Sequence, residues 1–422
     1  MVLTGKTQDQ RGEPPLKVLM VTSSFPRHEG DYFGQFILEL AKSLKPNNVE
    51  PVILCPHSPG AMKREVMGGV KVYRFPYFYP YSLQRVAAEG GMFQNVKRSP
   101  LAKLQLPLFL AMELIYTLWI ARKEEIDLLH THWIVPQGLV GAVCGRLLHC
   151  PHILSVHGTD VNIAAKNRVL GWVTKFVTRN CGKILTNSTY TRNVLLSVDP
   201  SAEGKVEVIP MGVDVEKFWN AQNDNHKQAS NPPHILYIGR LIDCKGLEYL
   251  IEAFAIVSRR VPGAQLIIGG EGPEEERLRQ QVAHLGLNES VQFIGLIASP
   301  DLSRYYHEAT VFVLPSIQAE RQTEGLGVVL LEAMACGTPV IGSNVGGIPD
   351  IIQDGWNGYL VQERSPEALS MKILELIHDT DLSRRLAENG FETVRRKFSW
   401  EHVSLQFRDR YEVSISRSLS SK

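Results

Sequence analysis

Runs of β-forming residues alternate with helical patterns along this chain, and the alternation occurs in two series. In the first series, the runs at 16–25, 49–56 and 152–160 are separated by helical stretches such as 36–44, and a second series begins at 234–239. Strands that alternate with helices pair in parallel, and helices then cover both faces of the sheet. The sequence therefore predicts an α/β protein with two doubly wound, Rossmann-like domains. Ligands of such sheets bind at the carboxyl ends of the strands, so we expect the domains to face each other across a cleft.

A polar segment at 220–233, which ends in two prolines, separates the two series. Its composition is typical of an interdomain linker. The chain has 422 residues, which is more than one hydrophobic core usually serves. Four segments are expected: an N-terminal domain at 16–213, a linker at 214–233, a C-terminal domain at 234–395, and a final helix at 396–422 that docks back on the domains.

The charge is unevenly distributed, although the net charge is only +1. Residues 1–213 contain 24 Lys and Arg against 16 Asp and Glu, whereas residues 214–422 contain 21 against 28. A near-neutral chain has no general attraction to nucleic acid, and we expect no such partner. A basic first half suits an anionic lipid or an acidic acceptor, but a chance imbalance explains the numbers equally well.

Cysteine usage and the start of the chain indicate the compartment. None of the six cysteines has C-x-x-C spacing, so the sequence signals neither a disulfide framework nor a zinc site. The first residues are polar and lack the apolar core of a signal peptide. We therefore expect a reduced, cytoplasmic protein.

One segment, 104–120, is apolar enough to raise the question of a membrane. It is shorter than the ~20 residues of a spanning helix, and Pro107 and Glu113 interrupt it. Three basic residues precede it: Lys97, Arg98 and Lys103. We expect a buried helix of the first domain, and the alternative is peripheral contact of this domain with an anionic membrane at its cytoplasmic face.

Two glutamates, Glu324 and Glu332, lie eight positions apart in "TEGLGVVLLEAMACG". The pattern predicts a helix that starts near Gly325, with Glu324 at its amino end and Glu332 two turns inside, on neighbouring faces. Three residues would present free N–H groups at the positive helix end: Gly325, Leu326 and Gly327. Such a helix suits a ligand with phosphates in the middle and hydroxyl-bearing rings at both ends, which is the form of a nucleoside diphosphate sugar. The alternatives are a dipole partner for Glu324 and a surface position for Glu332.

Two cations and one histidine follow other strands. In "GRLIDCKG", Arg240 lies just past a strand and Lys245 just before a helix, so both could stabilise a departing diphosphate. In "HGTD", His157 ends a strand and could bind a sugar hydroxyl, while Asp160 could orient it or cap the next helix. Solvated loop cations and a structural histidine are the alternatives.

A metal site is a further alternative near His157. His130 and His132 share one face of a strand, and with His157 they could form a three-histidine site. No carboxylate or cysteine is placed to complete it, so we expect no metal.

Several motifs, in this order and spacing, resemble glycosyltransferase family four, the retaining enzymes of GT-B fold. They are "HGTD", "VIPMGVDVEKF", "GRLIDCKG", "GGEGP" and "EGLGVVLLEAMACGTPVIGSNVGGIPDII". The segments "FPRHEGDYFGQFILELAKSL" and "HTHWIVPQG" are similar to members that build cell-surface polysaccharide.

The resemblance implies a role for each candidate residue. Arg240 and Lys245 would bind the donor diphosphate, Glu324 the donor sugar, and Glu332 the ribose. Further assignments are His157 at the reacting sugar, the loop around Gly34 near the phosphates, and Leu296 beside the base. The family uses no metal or organic cofactor, and its first domain takes a glycan or lipid-linked acceptor. Here Gly30 and Gly34 are separated by "DYF", where the family often has a glycine pair.

The expected reaction is retaining transfer of a hexose from a UDP- or GDP-linked sugar, for polysaccharide synthesis. The departing diphosphate would help to take the acceptor's proton on the same face, and a covalent route through Glu324 is the alternative. A sugar-nucleotide epimerase of the same fold and a non-catalytic nucleotide-sugar binder are the other function classes. No G-x-G-x-x-G follows the first strand and no Walker sequence is present, which argues against a dehydrogenase and an ATPase.

Overall fold

Two parallel sheets, one in each half of the chain, organise the structure. The computed structural model describes residues 14–87, 92–219, 232–298, 300–319 and 322–420. The chain divides into two compact units. The first contains the chain up to Thr186, residues 192–209 and the end of the chain from Val403. The second contains residues 187–191 and 210–402, so the division after residue 209 lies close to the predicted boundary at 213.

The first unit has an eight-stranded sheet among its described residues. Its strands are β1 Leu16–Val21, β2 Val49–Pro56, β3 Arg64–Met67, β4 Val70–Phe75, β5 Leu128–His132, β6 His152–Val156, β7 Lys183–Thr186 and β8 Val206–Val208. Their order is β3-β4-β2-β1-β5-β6-β7-β8, and only the edge strand β3 is antiparallel to its neighbour. The strand order reverses between β1 and β5, where a doubly wound sheet opens a crevice at its carboxyl edge.

Helices cover both faces of this sheet. They are α1 Gln35–Leu44, α2 Met92–Arg98, α3 Pro100–Lys123, α4 Leu139–Leu148, α5 Thr159–Lys166, α6 Arg168–Asn180 and α7 Thr189–Val198. One core cluster contains Phe75, Phe109 of α3 and Ile120 of α3, and a second contains Val177 of α6 and Leu195 of α7. Apolar side chains therefore fill both sides of the sheet, as a parallel sheet requires.

Helix α3 is longer than the predicted segment 104–120 and runs through Pro107. Among the described residues it is the one helix long and apolar enough to cross a membrane, but a third of its most apolar stretch is buried. The expectation of a buried helix is wrong for one of its faces, because Leu104 and Ile115 are exposed.

The second unit contains a six-stranded parallel sheet among its described residues. Its strands are β9 His234–Ile238, β10 Gln265–Gly269, β11 Val291–Gly295, β12 Val311–Leu314, β13 Val340–Ser343 and β14 Tyr359–Val361, in the order β11-β10-β9-β12-β13-β14. Its helices are α8 Val215–Trp219, α9 Leu247–Arg260, α10 Glu275–His284, α11 Leu302–Glu308, α12 Val328–Ala335, α13 Pro366–His378 and α14 Thr380–Thr393. The strand order reverses between β9 and β12.

Two predicted boundaries are wrong. The expected linker 214–233 begins with helix α8, and Phe218 of this helix is buried in the core of the second unit. Residues 220–231 of that linker lie outside the described part of the chain. The helix expected from Gly325 begins only at Val328, because Gly327 adopts a left-handed conformation with φ 96° and serves as its N-cap.

The last helix, α15 Trp400–Ser420, packs on the first unit from Val403 onward. Val403, Phe407 and Tyr411 are buried, and the Tyr411 hydroxyl lies 2.8 Å from Nδ1 of His130. The chain thus returns to its first unit, which specifies where the predicted C-terminal helix docks.

Candidate functional site

In the second unit, the carboxyl ends of β9 and β12 bring Lys245 and Glu324 together. Lys245 ends a short 3-10 turn after β9, and Glu324 lies in the loop after β12. The Lys245 ammonium donates a hydrogen bond to Glu324 Oε2, and the Ser316 hydroxyl donates to the same oxygen at 3.2 Å. The two charged side chains are only 15% and 13% exposed, so solvent screens their attraction weakly. The ion pair lies where the strand order reverses, which is where such sheets bind ligands.

Backbone contacts hold the loop after β9 against the loop after β12. The N–H of Ile317 donates to the carbonyl of Cys244 at 2.9 Å. Gly246 has φ 62°, and a Cβ at this position would lie 2.2 Å from the carbonyl oxygen of Pro315. Only glycine fits this approach, and it places Lys245 beside the loop that carries Glu324.

A pair of adjacent glycines, Gly346 and Gly347, also packs against the Glu324 loop. The N–H of Gly347 donates to the carbonyl of Glu324 at 3.0 Å. A Cβ on Gly346 would lie 2.1 Å from that carbonyl, and a Cβ on Gly347 would lie 2.3 Å from the carbonyl of Gly325. Glu324 is therefore fixed in a loop, and the expectation that it sits at a helix end on a face next to Glu332 is wrong.

Gly325, Leu326 and Gly327 form the approach to α12. They lie ahead of the helix, not in its first turn, and Leu326 is buried. Helix α12 has eight residues, and its positive end is at Val328. The anion-binding N–H groups that we predicted in 325–327 thus belong to a loop that leads into the helix.

Arg240 follows β9 directly and is exposed. Its carbonyl accepts a hydrogen bond from the buried Tyr237 hydroxyl at 3.1 Å. The next loop of the sheet packs closely here, because the N–H of Leu241 donates to the carbonyl of Glu271 at 2.9 Å. As predicted, Arg240 and Lys245 follow the same strand, but only Lys245 is engaged by Glu324.

Glu332 lies in α12 and faces helix α11. Its Oε2 accepts a hydrogen bond from the Tyr306 hydroxyl at 2.8 Å. The carboxyl group is enclosed, although the residue keeps some exposed surface, and burial raises its pKa to about 7. Leu296 is 59% exposed just after β11, at the same carboxyl edge of the sheet.

In the first unit, His157 follows β6 and lies beside the last residue of β5. Its Nε2 is 3.0 Å from Nδ1 of His132, and the two rings stack with centroids 5.3 Å apart. Phe36 of α1 and Trp133 contact the His157 ring at 5.2 and 4.9 Å between centroids. Burial lowers the pKa of His157 to about 3, so the imidazole is neutral at physiological pH.

Asp160 holds the loop after β5. Its Oδ2 accepts the N–H of Ile134 at 2.9 Å. Burial raises its pKa to about 6, although this N–H bond lowers it. The described ring contact of His157 is with His132, and the orienting role of Asp160 stays a prediction.

Gly34 is the N-cap of α1, with φ 71°. A Cβ at this position would lie 2.4 Å from the carbonyl of Ser24, in the loop after β1. The glycine therefore permits a close backbone contact at the amino end of α1, near Phe36 and the His157 ring.

The three-histidine metal alternative is not supported. Both ring nitrogens of His130 have hydrogen-bond partners, at 2.8 Å from the Ser155 and Tyr411 hydroxyls. Across the described ranges, no group of three His, Cys, Asp or Glu side chains is arranged to hold a metal ion.

Four residues of this geometry were not predicted as site residues. Ser316 and the pair Gly346–Gly347 position Glu324, and Tyr306 positions Glu332. The glycine pair was visible in "SNVGGIPDII", but nothing in the sequence showed that it contacts a loop more than 20 positions earlier.

Comparison with known proteins places both halves of the chain in related families. Residues 34–217 match the family model described as Glycosyltransferase Family 4, and residues 220–393 match Glycosyl transferases group 1. An uncharacterized glycosyltransferase of Methanocaldococcus jannaschii is 34% identical over 69% of this chain and 77% of its own length. The GDP-mannose-dependent alpha-(1-6)-phosphatidylinositol monomannoside mannosyltransferase of Mycobacterium tuberculosis is 28% identical over 93% of this chain and 97% of its own.

Among solved structures, HepE of Anabaena in complex with UDP superposes with a TM-score of 0.71. Its sequence is 18% identical, and the match covers 94% of this chain and 100% of that chain. At this identity the likeness shows the fold alone, and it confirms the GT-B fold that the sequence motifs implied.

Proposed function

The chain belongs to the glycosyltransferases of group 1 and family 4, and from this premise we propose that it is a retaining hexosyltransferase. The donor is a UDP- or GDP-linked sugar, and the acceptor is a glycan or a lipid-linked sugar in cell-surface polysaccharide synthesis. HepE binds UDP and the mycobacterial relative is named for GDP-mannose and a phosphatidylinositol mannoside, which supports both halves of this proposal. The proposed enzyme works in the cytoplasm, with its first unit in contact with the inner face of the membrane.

The observation that carries the proposal is the ion pair of Lys245 and Glu324, which lies at the same carboxyl edge of the sheet as Arg240. A diphosphate gains negative charge as its bond to the sugar breaks, and fixed cations stabilise that charge without a metal. Glu324 accepts from Lys245 through one oxygen, which leaves the other oxygen to accept a sugar hydroxyl. Arg240, being exposed, can reach the diphosphate as a planar, bidentate donor.

The remaining residues take the roles that the family motifs imply. We assign Glu332 to the ribose, Leu296 to the base, and the Gly325–Gly327 loop to the phosphates. The neutral His157 binds a hydroxyl of the reacting sugar. Asp160 holds the loop after β5, and Gly34 holds the start of α1 near the phosphates. These assignments rest on the resemblance to the family motifs, and they are supported by the positions of Leu296, His157 and the Gly325–Gly327 loop after strands of their sheets.

Two routes to retention make different demands on Glu324. In the front-face route the departing diphosphate takes the acceptor's proton, and in the covalent route Glu324 attacks the sugar. We favour the front-face route, because Lys245 and Ser316 both bind one Glu324 oxygen and weaken the carboxylate as a nucleophile. Added azide should not restore turnover to Glu324→Gln, and rescue by azide would establish the covalent route.

A thermal-shift screen against UDP-, GDP- and ADP-sugars tests the proposal. A ligand that binds the folded protein raises the melting temperature by mass action. One class of donor should raise it, and Arg240→Ala should abolish the response to every diphosphate donor. The product must then form only when an acceptor is added. Isomerisation of the donor without an acceptor would indicate an epimerase, and binding without turnover a non-catalytic subunit.

A further inference from the structure

Helix α3 buries polar side chains beside core residues such as Phe109 and Ile120, and it exposes large apolar side chains on its outer side. Three polar side chains are fully buried beneath it: Gln105, Glu113 and Thr117. Four large apolar side chains are exposed on it: Leu104 at 71%, Leu108 at 48%, Ile115 at 55% and Trp119 at 38%. These four follow helical spacing along one side, and we call them the α3 apolar face.

The buried polar side chains fix α3 in the first unit. Gln105 accepts the N–H of Arg85 at 2.9 Å and donates to the carbonyl of Leu83 at 2.8 Å. Glu113 accepts from the Gln137 side chain at 2.9 Å. These bonds hold α3 in the first unit, so the side of α3 that is open to a bilayer is its exposed apolar face.

The edge strand β3 extends the exposed surface beyond the helix. The Arg64 guanidinium lies 5.1 Å from the centre of the Trp119 ring, and Val66, two residues later on the same face of the strand, is 69% exposed. Tryptophan and arginine are the residues that meet lipid headgroups, because one end of each is apolar and the other polar.

Basic residues lie at both ends of the α3 apolar face. Lys97, Arg98 and Lys103 are exposed at its start, and Arg122 and Lys123 are exposed at its end. Of the acidic residues just after it, Glu124 is mostly enclosed and bound by Lys71 and Tyr73, whereas Glu125 is exposed and pairs with Lys17. An apolar stripe with cations at each end matches an anionic surface.

We propose that the α3 apolar face docks on an anionic lipid bilayer, with α3 lying in the plane of the membrane. A second copy of the chain is a poorer occupant, because a symmetric contact through this face sets the basic ends of one helix against those of the other. The inference deepens the proposed membrane contact and rests on it, but it does not depend on sugar transfer.

Flotation with vesicles tests the docking surface. The wild-type protein should bind phosphatidylglycerol vesicles, and bind phosphatidylcholine vesicles at least tenfold more weakly. The double variant Leu108→Glu with Ile115→Glu should lose about tenfold or more in partitioning. The matched control is Met371→Glu, since Met371 is a 59% exposed apolar residue of α13 in the second unit.

Charge removal and fluorescence provide independent measurements. The double variant Arg98→Gln with Lys103→Gln should bind about 25-fold more weakly, at roughly fivefold for each basic residue lost, whereas Lys397→Gln should have little effect. Brominated lipid should quench tryptophan emission in the wild type, and Trp119→Phe should remove that quenching. This conservative variant keeps the fold, so it remains informative if the glutamate variants unfold.

The outcomes separate this inference from the proposed enzyme. Donor-induced thermal shifts, measured on the same variants, report on donor binding, to which no residue of the α3 apolar face is assigned. Retained donor shifts with no vesicle binding by the wild type would overturn the docking surface and leave the enzyme proposal standing. Equal vesicle binding by the wild type and the Leu108/Ile115 variant would also overturn it. So would a wild-type protein that binds no vesicles but forms a dimer, if the Leu108/Ile115 variant is monomeric.

Discussion

At the scale of single residues, burial decides which groups of the candidate site carry charge. Burial lowers the pKa of His157 to about 3 and raises that of Glu332 to about 7. In the proposed role, a neutral His157 can hydrogen-bond a sugar hydroxyl but cannot supply a proton at neutral pH. Among the residues that we assign to the donor, the positive charge therefore comes from Arg240 and Lys245.

Lys245 provides the most direct residue-scale prediction. Lys245→Met should lower kcat by about 10²-fold or more, because the diphosphate then leaves without a fixed cation and Glu324 loses its partner. Steady-state kinetics with the donor identified by thermal shift measures the effect. Lys397→Met, which removes an exposed lysine elsewhere in the second unit, is the control. A fall of less than threefold for Lys245→Met would remove the lysine from the mechanism.

Glu113 predicts a pH dependence of stability. Burial raises its pKa from 4.5 to about 8, so the folded state keeps a proton that the unfolded state releases above pH 4.5. The free energy of unfolding should therefore fall as the pH rises from about 4.5 to 8, by up to ~5 kcal/mol, and level off above that. Glu113→Gln keeps the shape of the side chain but has no carboxyl group to titrate. It should therefore remove the part of the pH-dependent loss of stability that Glu113 causes.

Urea unfolding at pH 5, 7 and 9 measures the Glu113 effect as the difference between the two proteins. As the pH rises, the free energy of unfolding of the Glu113→Gln variant should increase relative to that of the wild type. Parallel pH profiles would show that Glu113 is ionised in the folded protein.

At the scale of elements, the loops at the carboxyl edges are positioned by glycine. Gly246→Ala forces a Cβ to 2.2 Å from the Pro315 carbonyl at a φ of 62°. We expect a loss of about 3 kcal/mol in the free energy of unfolding, together with a fall in kcat, because Lys245 moves away from Glu324.

Gly286→Ala, at a position after helix α10, is the matched control for Gly246→Ala. Gly286 has φ 70°, but a Cβ there meets nothing within 4 Å, so only the backbone strain of about 1 kcal/mol applies. Denaturant unfolding and donor binding are measured for both variants. Their difference separates the effect of the clash with the Pro315 carbonyl from the effect of backbone strain. Equal losses for the two variants would show that the approach of Gly246 to Pro315 is unimportant.

At the scale of the whole molecule, the chain returns to its first unit through α15. A protein that ends at His402 lacks Val403, Phe407 and Tyr411, which are all buried, and it leaves His130 without its tyrosine partner. The first unit should lose several kcal/mol of stability. The donor-induced thermal shift should survive, because the residues assigned to the diphosphate, the ribose and the base belong to the second unit.

Limited proteolysis and two-probe unfolding can follow the two units of the shortened chain separately. Early cleavage should occur within the first unit. Loss of the donor response with an intact first unit would contradict this assignment of roles.

Repeated local patterns explain why much of the fold was predictable. Strands β1, β2, β6 and β9 and helix α1 lie close to the predicted positions, since their alternation is visible over short windows. The hairpin of β3 and β4 was missed, because β3 is an edge strand with exposed residues such as Arg64 and Val66. Strand β14 has only three residues and leaves almost no periodic signal.

The sequence by itself determined the two parallel sheets and the residues at their carboxyl edges, because strand and helix patterns are properties of neighbouring residues. The tertiary structure decided which of these residues meet. Lys245 and Glu324 are 79 positions apart, and His132 and His157 are 25 apart, so no local pattern links them. The structure alone also decided which face of α3 is buried, because apolar residues of α3 occur on all sides of the helix and its sequence shows no single apolar face. Burial of Gln105 and Glu113 depends on partners such as Arg85 and Gln137 that only the folded chain supplies.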